Sequence, residues 1–244
     1  MKDFKLMLYI VATPIGNLED ISMRALRILG EVDLVLCEDT RNTKKLLDHY
    51  DIDTKTMSYH QHSGEGKVKE VIELLRQGKD LALVSDAGTP GISDPGGKLV
   101  ARVFEEFGDK IQIESVPGPS AVTAALSISG VPTDKFVFMG FPPHKKGRYT
   151  FLKKIFESEY PVVVYESKHR IVKFLEELKS MKEDMKVIDD DKIKKKKMNL
   201  ESIVVCRELS KMHETTYRGD LDNIIDKITA SPDDQKGEFV VIIS

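Results

Sequence analysis

The segment from residue 86 to residue 97 holds the densest group of residues whose types suit chemistry. It contains four glycines and two prolines, and it reads Asp86-Ala87-Gly88-Thr89-Pro90-Gly91-Ile92-Ser93-Asp94-Pro95-Gly96-Gly97. Glycine leaves backbone amides bare, so a ligand can approach the main chain closely. The two aspartates would repel a phosphate but suit a cationic or hydroxyl-bearing ligand. The segment predicts either a ligand-binding loop or a rigid double turn in which Asp94 caps the next helix.

Two common nucleotide-binding motifs are missing from the sequence. A Walker A loop ending at Gly97-Lys98 would require glycine at Ile92 and serine or threonine at Leu99. No G-x-G-x-x-G follows the first apolar run, because residues 12–16 read Ala-Thr-Pro-Ile-Gly. Binding of nucleoside triphosphates or dinucleotides therefore loses its main support.

A second polar group, Glu38-Asp39-Thr40-Arg41, follows another short apolar run. Its carboxylates suit acid–base work, but Asp39 or Thr40 also suits the cap of a following helix, with Arg41 paired to a carboxylate. The two cysteines, Cys37 and Cys206, are far apart and form no C-x-x-C pair. They indicate small buried side chains rather than a disulfide or a zinc site, and no metal site is expected.

These polar groups lie at the ends of predicted strands. Apolar runs at 8–12, 34–37, 81–84 and 112–116 alternate with helical patterns, which indicates a parallel α/β sheet. In such a sheet ligands bind beyond the carboxyl ends of the strands. After the turn-rich residues 130–134 the segments lengthen, with strands expected at 136–140, 162–165, 203–206 and 239–244 and mixed pairing. We expect two α/β domains, residues 1–132 and 133–244.

Composition excludes an integral membrane protein and a protein that coats nucleic acid non-specifically through a large positive charge. The formal charge is -3, and no apolar run approaches the ~18 residues that a membrane span needs. A cytoplasmic location is the default expectation. The charge is uneven, since residues 1–134 hold 15 Lys and Arg against 21 Asp and Glu, whereas residues 135–170 hold 8 against 3. A basic surface in the second half is the place where RNA backbone would arrive.

Seven ordered strings, spread over essentially the whole chain, resemble a single family. They are LYIVATPIGNLEDI (8–21), CEDTR (37–41), SDAGTPGISDPG (85–96), PGPSA (117–121), YES-x-HR (165–170), RELSK-x-HE (207–214) and KGEF (236–239). The family is the 16S rRNA (cytidine-2'-O)-ribose methyltransferases of the tetrapyrrole methylase superfamily. The chain departs from it at Lys168, where proline is expected, in an apparent insertion over 187–200, and in ending at Ser244 without a small helical extension that would help to bind RNA.

The resemblance implies a two-domain tetrapyrrole-methylase-like fold that is not Rossmann-like, with a mostly parallel N-terminal sheet and a mixed C-terminal sheet. It implies S-adenosylmethionine in the cleft between the domains, a homodimer, and a cytidine of 16S rRNA in the small ribosomal subunit as substrate. By position, the cofactor contacts would be Pro14, Asp86, Ala87, Gly88, Thr89, Ile92, Ser93, Pro117, Gly118, Ser120, Ala121, Tyr165, Glu166, Ser167, Lys236, Gly237 and Glu238.

Methyl transfer to a ribose hydroxyl needs alignment of the reacting atoms and a base for the hydroxyl proton. The candidates for this base are Glu38, Asp39, Glu166, Glu208, Lys211 and His213. We expect Glu38 or Glu166 to be the catalytic group, although each also suits an ion pair with a nearby arginine. RNA phosphates would be held by Arg41, Lys145, Lys146, Arg148, Arg170, Arg207 and Lys211.

Two other functions stay open at this point. One is a methylase of a small tetrapyrrole precursor, and the other is an assembly factor that binds the cofactor without turnover. Methyl transfer to RNA, and its position on ribose or base, discriminates among the three.

Overall fold

The computed structural model describes residues 6–60, 63–187 and 202–244. The chain divides into two compact units, Met1–Ser120 and Ala121–Ser244. This division falls at residue 120, whereas the turn-rich sequence had suggested a boundary at residue 132. Residues 121–132 thus belong to the second unit. Most of the apparent insertion over 187–200 lies outside the described residues.

The first unit is built on a five-stranded parallel sheet with strand order β3-β2-β4-β1-β5. Its strands are β1 (Leu6–Val11), β2 (Leu34–Cys37), β3 (Thr56–Ser58), β4 (Leu81–Leu83) and β5 (Ile111–Val116). Its helices are α1 (Met23–Glu31), α2 (Thr40–His49), α3 (Glu65–Arg76) and α4 (Gly97–Phe107), with short 3-10 turns at Leu18–Asp20 and Gly108–Lys110. The order places the ends of β2, β4, β1 and β5 side by side.

Helices cover both faces of this sheet, which explains why its central strand β4 is apolar at every position. Ala82 packs in a core with residues of α1 and α2, while its neighbours Leu81 and Leu83 pack in another core with α3 and α4. Successive side chains of a strand point to opposite faces, so a central strand here needs an apolar residue at every position. All three residues of β4 are fully buried.

The second unit has a mixed five-stranded sheet with strand order β6-β7-β10-β8-β9. Only β6 and β7 are parallel, and the three other pairs are antiparallel. Its elements are α5 (Ala121–Ser129), β6 (Val137–Gly140), α6 (Arg148–Phe156), β7 (Val162–Ser167), α7 (Ile171–Val187), β8 (Ile203–Arg207), β9 (Thr215–Gly219), α8 (Leu221–Thr229) and β10 (Glu238–Ile243). The expected parallel first sheet and mixed second sheet are therefore confirmed.

Helix caps resolve two alternatives that the sequence left open. Asp39 caps α2, because its carboxylate accepts a hydrogen bond from the amide of Arg41 at 2.9 Å. Asp94 does not cap α4, since that helix begins at Gly97 with Gly96 as its cap and no side-chain bond. The added Cβ of any other residue at Gly96 would lie 3.2 Å from the amide nitrogen of Gly91, and its φ of 144° favours glycine.

In the part of the chain that the structure describes, no helix combines the length and apolarity that crossing a membrane requires.

Candidate functional site

The loops that follow β1 and β4 are joined by their backbones. Thr13 and Gly88 exchange two hydrogen bonds, with N···O distances of 2.9 and 3.0 Å. The buried hydroxyl of Thr13 donates to the carbonyl oxygen of Ser85 at 3.0 Å. Thr13 was not singled out by the sequence, although its place one residue after the first apolar run is a usable signal. The bridge holds Pro14, which is buried, beside the glycine-rich loop.

The loop after β5 packs against the same place. Thr89 donates its hydroxyl hydrogen bond to the carbonyl of Pro119 at 3.2 Å. A Cβ at Gly118 would lie 3.0 Å from the Cβ of Ala12, so the backbones approach too closely for a larger residue. Gly88 has φ of 81°, in the region that favours glycine. The structure therefore brings together Pro14, Gly88, Thr89, Pro117 and Gly118 at one edge of the first sheet.

Three carboxylates lie in loops at this edge of the sheet. They are Glu38, directly after β2, and Asp86 and Asp94, in the loop after β4. Asp86 is exposed and accepts hydrogen bonds from the amide of Asp39 and from the side chain of Asn42, each at 3.2 Å. Burial, followed by the charges of Asp94 and Asp86, raises the pKa of Glu38 to about 7. Burial and Asp86 raise the pKa of Asp94 to about 6. Glu38 can therefore take up or release a proton near neutral pH.

The neighbouring Asp39 has a different environment from Glu38. Hydrogen bonds from the side chain and the amide of Arg41 lower the pKa of Asp39 to about 2. The Arg41 guanidinium lies 2.7 Å from the Asp39 carboxylate, yet 85% of its side chain is exposed. Asp39 is thus a helix cap and ion-pair partner, while Arg41 keeps an accessible surface.

The remaining predicted cofactor residues of the first unit lie in the same loops. Ala87, Ile92 and Ser93 are exposed, and Ser93 has a positive φ of 62°. Ser120 is the last residue of the first unit, and Ala121 begins α5 in the second.

Within the second unit, Glu166 is the centre of a buried ion-pair cluster. Its side chain has no exposed surface, and its carboxylate lies 2.8 Å from Arg170 Nε and 3.9 Å from Arg148 Nη1. Burial raises the pKa of Glu166, an effect that the Ser167 amide and the two guanidinium groups oppose. Nothing of this carboxylate faces solvent. The placement argues against the base and cofactor contacts expected for Glu166.

The two arginines of this cluster hold a loop. Arg170 donates to the carbonyl of Pro142, and Arg148 donates to the carbonyl of Pro143, each at 3.0 Å. Arg148 is 7% exposed and also binds Glu177 at 2.7 Å. Because Arg148 is buried, it does not fit the phosphate contact expected for it. Arg170 is also largely buried and is bound to Glu166 and to the carbonyl of Pro142, so it fits that contact poorly as well. Lys145 and Lys146, in the loop that they hold, are exposed.

Arg207 was expected to bind RNA, but its guanidinium is turned into the second unit. It donates to the carbonyl oxygens of Lys236 at 2.7 Å, His213 at 3.0 Å and Asp233 at 2.6 Å. The residue is 6% exposed. All three of its side-chain nitrogens have backbone partners, so this placement argues against the RNA contact expected for Arg207.

Next to Arg207, Lys211 joins the β8–β9 loop to β10. Its ammonium lies 2.9 Å from Glu208 and 2.8 Å from Glu238. Glu208 also accepts from the amide of Glu238 at 2.8 Å. Gly237 has φ of 104°, and a Cβ there would lie 2.5 Å from Glu208 Cγ. Two predicted base candidates, Glu208 and Lys211, are thus engaged with each other.

Tyr165 and Ser167 lie on β7, on either side of Glu166. The Tyr165 ring contacts Phe138 and Phe141, with centroids 4.9 and 5.4 Å away. Ser167 accepts a hydrogen bond from Arg170 at 3.3 Å. Neither phenylalanine lies in one of the seven strings that carry the family resemblance.

No cluster of three or more metal-ligating side chains occurs among residues 6–60, 63–187 and 202–244.

Comparison with known proteins gives a consistent result. Residues 7–225 match the family model described as Tetrapyrrole (Corrin/Porphyrin) Methylases. A protein of Synechocystis sp. named Ribosomal RNA small subunit methyltransferase I is 42% identical, over 97% of this chain and 78% of that protein. A protein of Thermotoga maritima with the same name is 39% identical, over 97% of each.

Among solved structures, the chain is similar to cobalt precorrin-4 methyltransferase, a cobalamin biosynthetic enzyme. The TM-score is 0.70 at 16% identity, and 100% of this chain and 97% of that chain are covered. It is also similar to diphthine synthase, with a TM-score of 0.69 at 14% identity over 98% of this chain and 90% of that chain. At these identities the likeness concerns the fold alone.

Proposed function

Since the chain belongs to the family of tetrapyrrole (corrin/porphyrin) methylases, which are S-adenosylmethionine-dependent methyltransferases, we propose that it methylates RNA of the small ribosomal subunit. The acceptor in this proposal is the ribose 2'-hydroxyl of a cytidine in the decoding region of 16S rRNA. The observation that carries it is near-full-length similarity, at 39–42% identity, to relatives whose names specify small-subunit ribosomal RNA. A homodimer and a cytoplasmic location are parts of the same proposal.

The edge of the first sheet suits S-adenosylmethionine by its chemistry. When bound, this cofactor supplies an electrophilic methyl group on a positively charged sulfur. Glu38, Asp86 and Asp94 provide the negative charge that a sulfonium and an ammonium group favour. Gly118 is exposed and carries no side chain over its backbone, which suits the close approach of the polar edges of an adenosine.

We propose as cofactor contacts in the first unit Pro14, Asp86, Ala87, Gly88, Thr89, Ile92, Ser93, Pro117, Gly118 and Ser120. The contacts that the family resemblance predicts for Ala121, Tyr165, Ser167, Lys236, Gly237 and Glu238 stay predictions.

Glu38 is the residue that we propose as general base. The 2'-hydroxyl becomes an effective nucleophile when its proton is removed, and a positioned base contributes about 10²- to 10⁴-fold in rate. A carboxyl group with a pKa of about 7 is ionised in half of the molecules at neutral pH and still basic enough to accept this proton. Glu166 is left out because its carboxylate is buried between arginines.

For the RNA backbone we propose the exposed cations Arg41, Lys145 and Lys146. The side chain of Arg41 is 85% exposed beside the acidic edge, so its guanidinium can take a phosphate. We expect Arg41→Ala to raise the KM for RNA while the affinity for S-adenosylmethionine stays near that of the wild type. Equal loss of cofactor affinity would refute the assignment of Arg41 to the RNA.

The test of the function uses S-adenosylmethionine with a labelled methyl group. The protein is incubated with undermethylated small subunits or with naked 16S rRNA, and the label is mapped to ribose or base. Glu38→Gln should lose most of the transfer, whereas Glu105→Gln, which changes an exposed carboxyl on α4, should keep it. Label on a base would contradict the ribose acceptor. No label on either form of the RNA would contradict the proposal as a whole and favour a small-molecule methylase or a non-catalytic factor.

A further inference from the structure

Three aromatic side chains of the second unit form a patch, and the proposed methyl transfer gives no role to two of them, Phe138 and Phe141. The patch consists of Phe138 on β6, Tyr165 on β7 and Phe141 in the loop after β6. The rings of Phe138 and Phe141 are inclined to that of Tyr165 by 67° and 58°, with centroid separations of 4.9 and 5.4 Å. Phe141 is 51% exposed, so about half of this ring is accessible to a ligand.

The backbone around Phe141 is held in place by buried groups. Pro142 and Pro143, which follow it directly, have their carbonyl oxygens bound by Arg170 and Arg148. Gly140, which precedes it, has φ of 65° beside a register shift in the pairing of β6 with β7. Because the backbone on both sides of Phe141 is already fixed, a ligand that binds to the ring loses little free energy in ordering this segment.

The chain next to the patch is basic. Lys145 and Lys146 are exposed in the loop that Phe141 begins, and neither has an ion-pair partner among the residues that the structure describes. Residues 135–170 contain eight Lys and Arg against three Asp and Glu. An aromatic surface beside unpaired cations is complementary to a single-stranded nucleic acid, whose bases stack and whose phosphates attract lysine.

We infer that the aromatic patch stacks an unpaired nucleobase of the RNA, with Phe141 as the main contact and Lys145 and Lys146 on the adjacent phosphates. The inference deepens the proposed function, on which it rests, by making the substrate an RNA segment whose base is unstacked rather than a regular duplex. A second copy of the chain is a poorer occupant. A two-fold interface would bring the same surface of both subunits together and would oppose these lysines to each other.

The absence of tryptophan from the chain makes a direct test practicable. Phe141→Trp introduces one indole, whose fluorescence a stacked base quenches. Phe104→Trp is the matched control, because Phe104 is 59% exposed on α4 in the first unit. A short single-stranded RNA containing cytidine should quench the Phe141→Trp protein saturably, whereas a duplex of the same sequence should not, and neither RNA should quench the Phe104→Trp protein.

Affinity provides the second measurement. Loss of one base stack corresponds to about a 5- to 150-fold increase in the Kd for the single-stranded RNA, measured by fluorescence anisotropy at one salt concentration. We expect this increase for Phe141→Ala and for Phe141→Leu, with an unchanged Kd for S-adenosylmethionine. Phe141→Trp should bind as tightly as the wild type.

Several results would overturn the inference. These are wild-type RNA affinity in Phe141→Ala, full rescue by Phe141→Leu, or a change in oligomeric state on sedimentation, which would make the patch a subunit interface. The proposed function and the stacking inference can be refuted independently. RNA binding that depends on Phe141, without any methyl transfer, would refute the proposed function and keep the stacking inference. Normal methylation by Phe141→Ala with an unchanged KM for RNA would refute the stacking inference and keep the proposed function.

Discussion

Replacing Glu166 with glutamine distinguishes a structural carboxylate from a catalytic one. The wild-type carboxylate accepts hydrogen bonds from the Ser167 amide at 2.7 Å and from Arg170 at 2.8 Å, and it lies 3.9 Å from Arg148. A glutamine oxygen can keep the first two contacts. Its NH₂ group then faces the Arg148 guanidinium, so two donors meet where a charge pair had been.

The expected loss of stability follows from this geometry. Removing one partner of a buried ion pair costs about 3 to 5 kcal/mol. We expect the lower end, about 3 kcal/mol, because Arg148 keeps Glu177 at 2.7 Å and Arg170 keeps the carbonyl of Pro142 at 3.0 Å. For a chain of this size, such a loss lowers Tm by about 6 to 12 °C.

Thermal unfolding measures the loss of stability in Glu166→Gln, and hydrogen exchange of the β7 amides shows whether that loss arises around residue 166. The control is Glu177→Gln, which removes a partner of the same Arg148 from a side chain that is 27% exposed. Since solvent screens that pair, we expect a loss of about 1 kcal/mol or less. A Glu166→Gln protein that has the Tm of the wild type and yet a much lower kcat would contradict a structural role for Glu166, because that outcome assigns the carboxylate to the reaction.

Further predictions concern Glu38, Gly237 and Arg207. Activity should rise with pH through about 7 as Glu38 ionises, and Glu38→Gln should lower kcat about 10²- to 10⁴-fold and flatten the pH–rate profile. Because burial raises the pKa of Glu38, the contribution of this carboxyl group to folding stability is complete below about pH 4.5 and is lost as pH rises through about 7. Between these two pH values the denaturation midpoint of Glu38→Gln should therefore fall less than that of the wild type. Gly237→Ala should lower Tm more than Gly130→Ala, since both have positive φ but only the first would place a Cβ 2.5 Å from Glu208. Arg207→Ala should cost at least about 3 kcal/mol in chemical denaturation, because it leaves three carbonyls without their donor; a stable variant with only weakened RNA binding would restore the RNA contact expected from sequence.

Much of the first unit was predictable because its signals are local. An apolar strand followed by glycine and small polar residues identifies a parallel strand and its carboxyl-end loop, and the loops after β1, β4 and β5 do meet through Thr13, Gly88 and Thr89. Helices α3 and α8 and strand β9 were not predicted. The apolar positions of α8, Leu221, Ile224 and Ile228, recur with helical spacing as clearly as those of α1, so the sequence did carry a signal for this helix.

The role of each charged residue was harder to predict, because it depends on partners that are distant in sequence. The pKa of Glu38 is raised by burial and then by the charges of Asp94 and Asp86, both of which come from the loop after β4. Arg148 is paired with Glu177 through a contact between α6 and α7. No spacing along the chain identifies these partners, so exposed and buried arginines looked alike.

The sequence by itself determined the two sheets, the glycine-rich loop and the family. These features depend on short segments, namely apolar strands that alternate with helices and glycines that leave the backbone without side chains. Tertiary structure alone decided that burial and two aspartates raise the pKa of Glu38 to about 7, that Glu166 and Arg207 are buried among their partners, and that Phe141 is half exposed. The physical reason is that burial and charge act through space. A side chain's desolvation and its hydrogen-bond partners are set by what the fold brings within a few ångströms, and these determine whether the same residue type binds a ligand or holds the protein together.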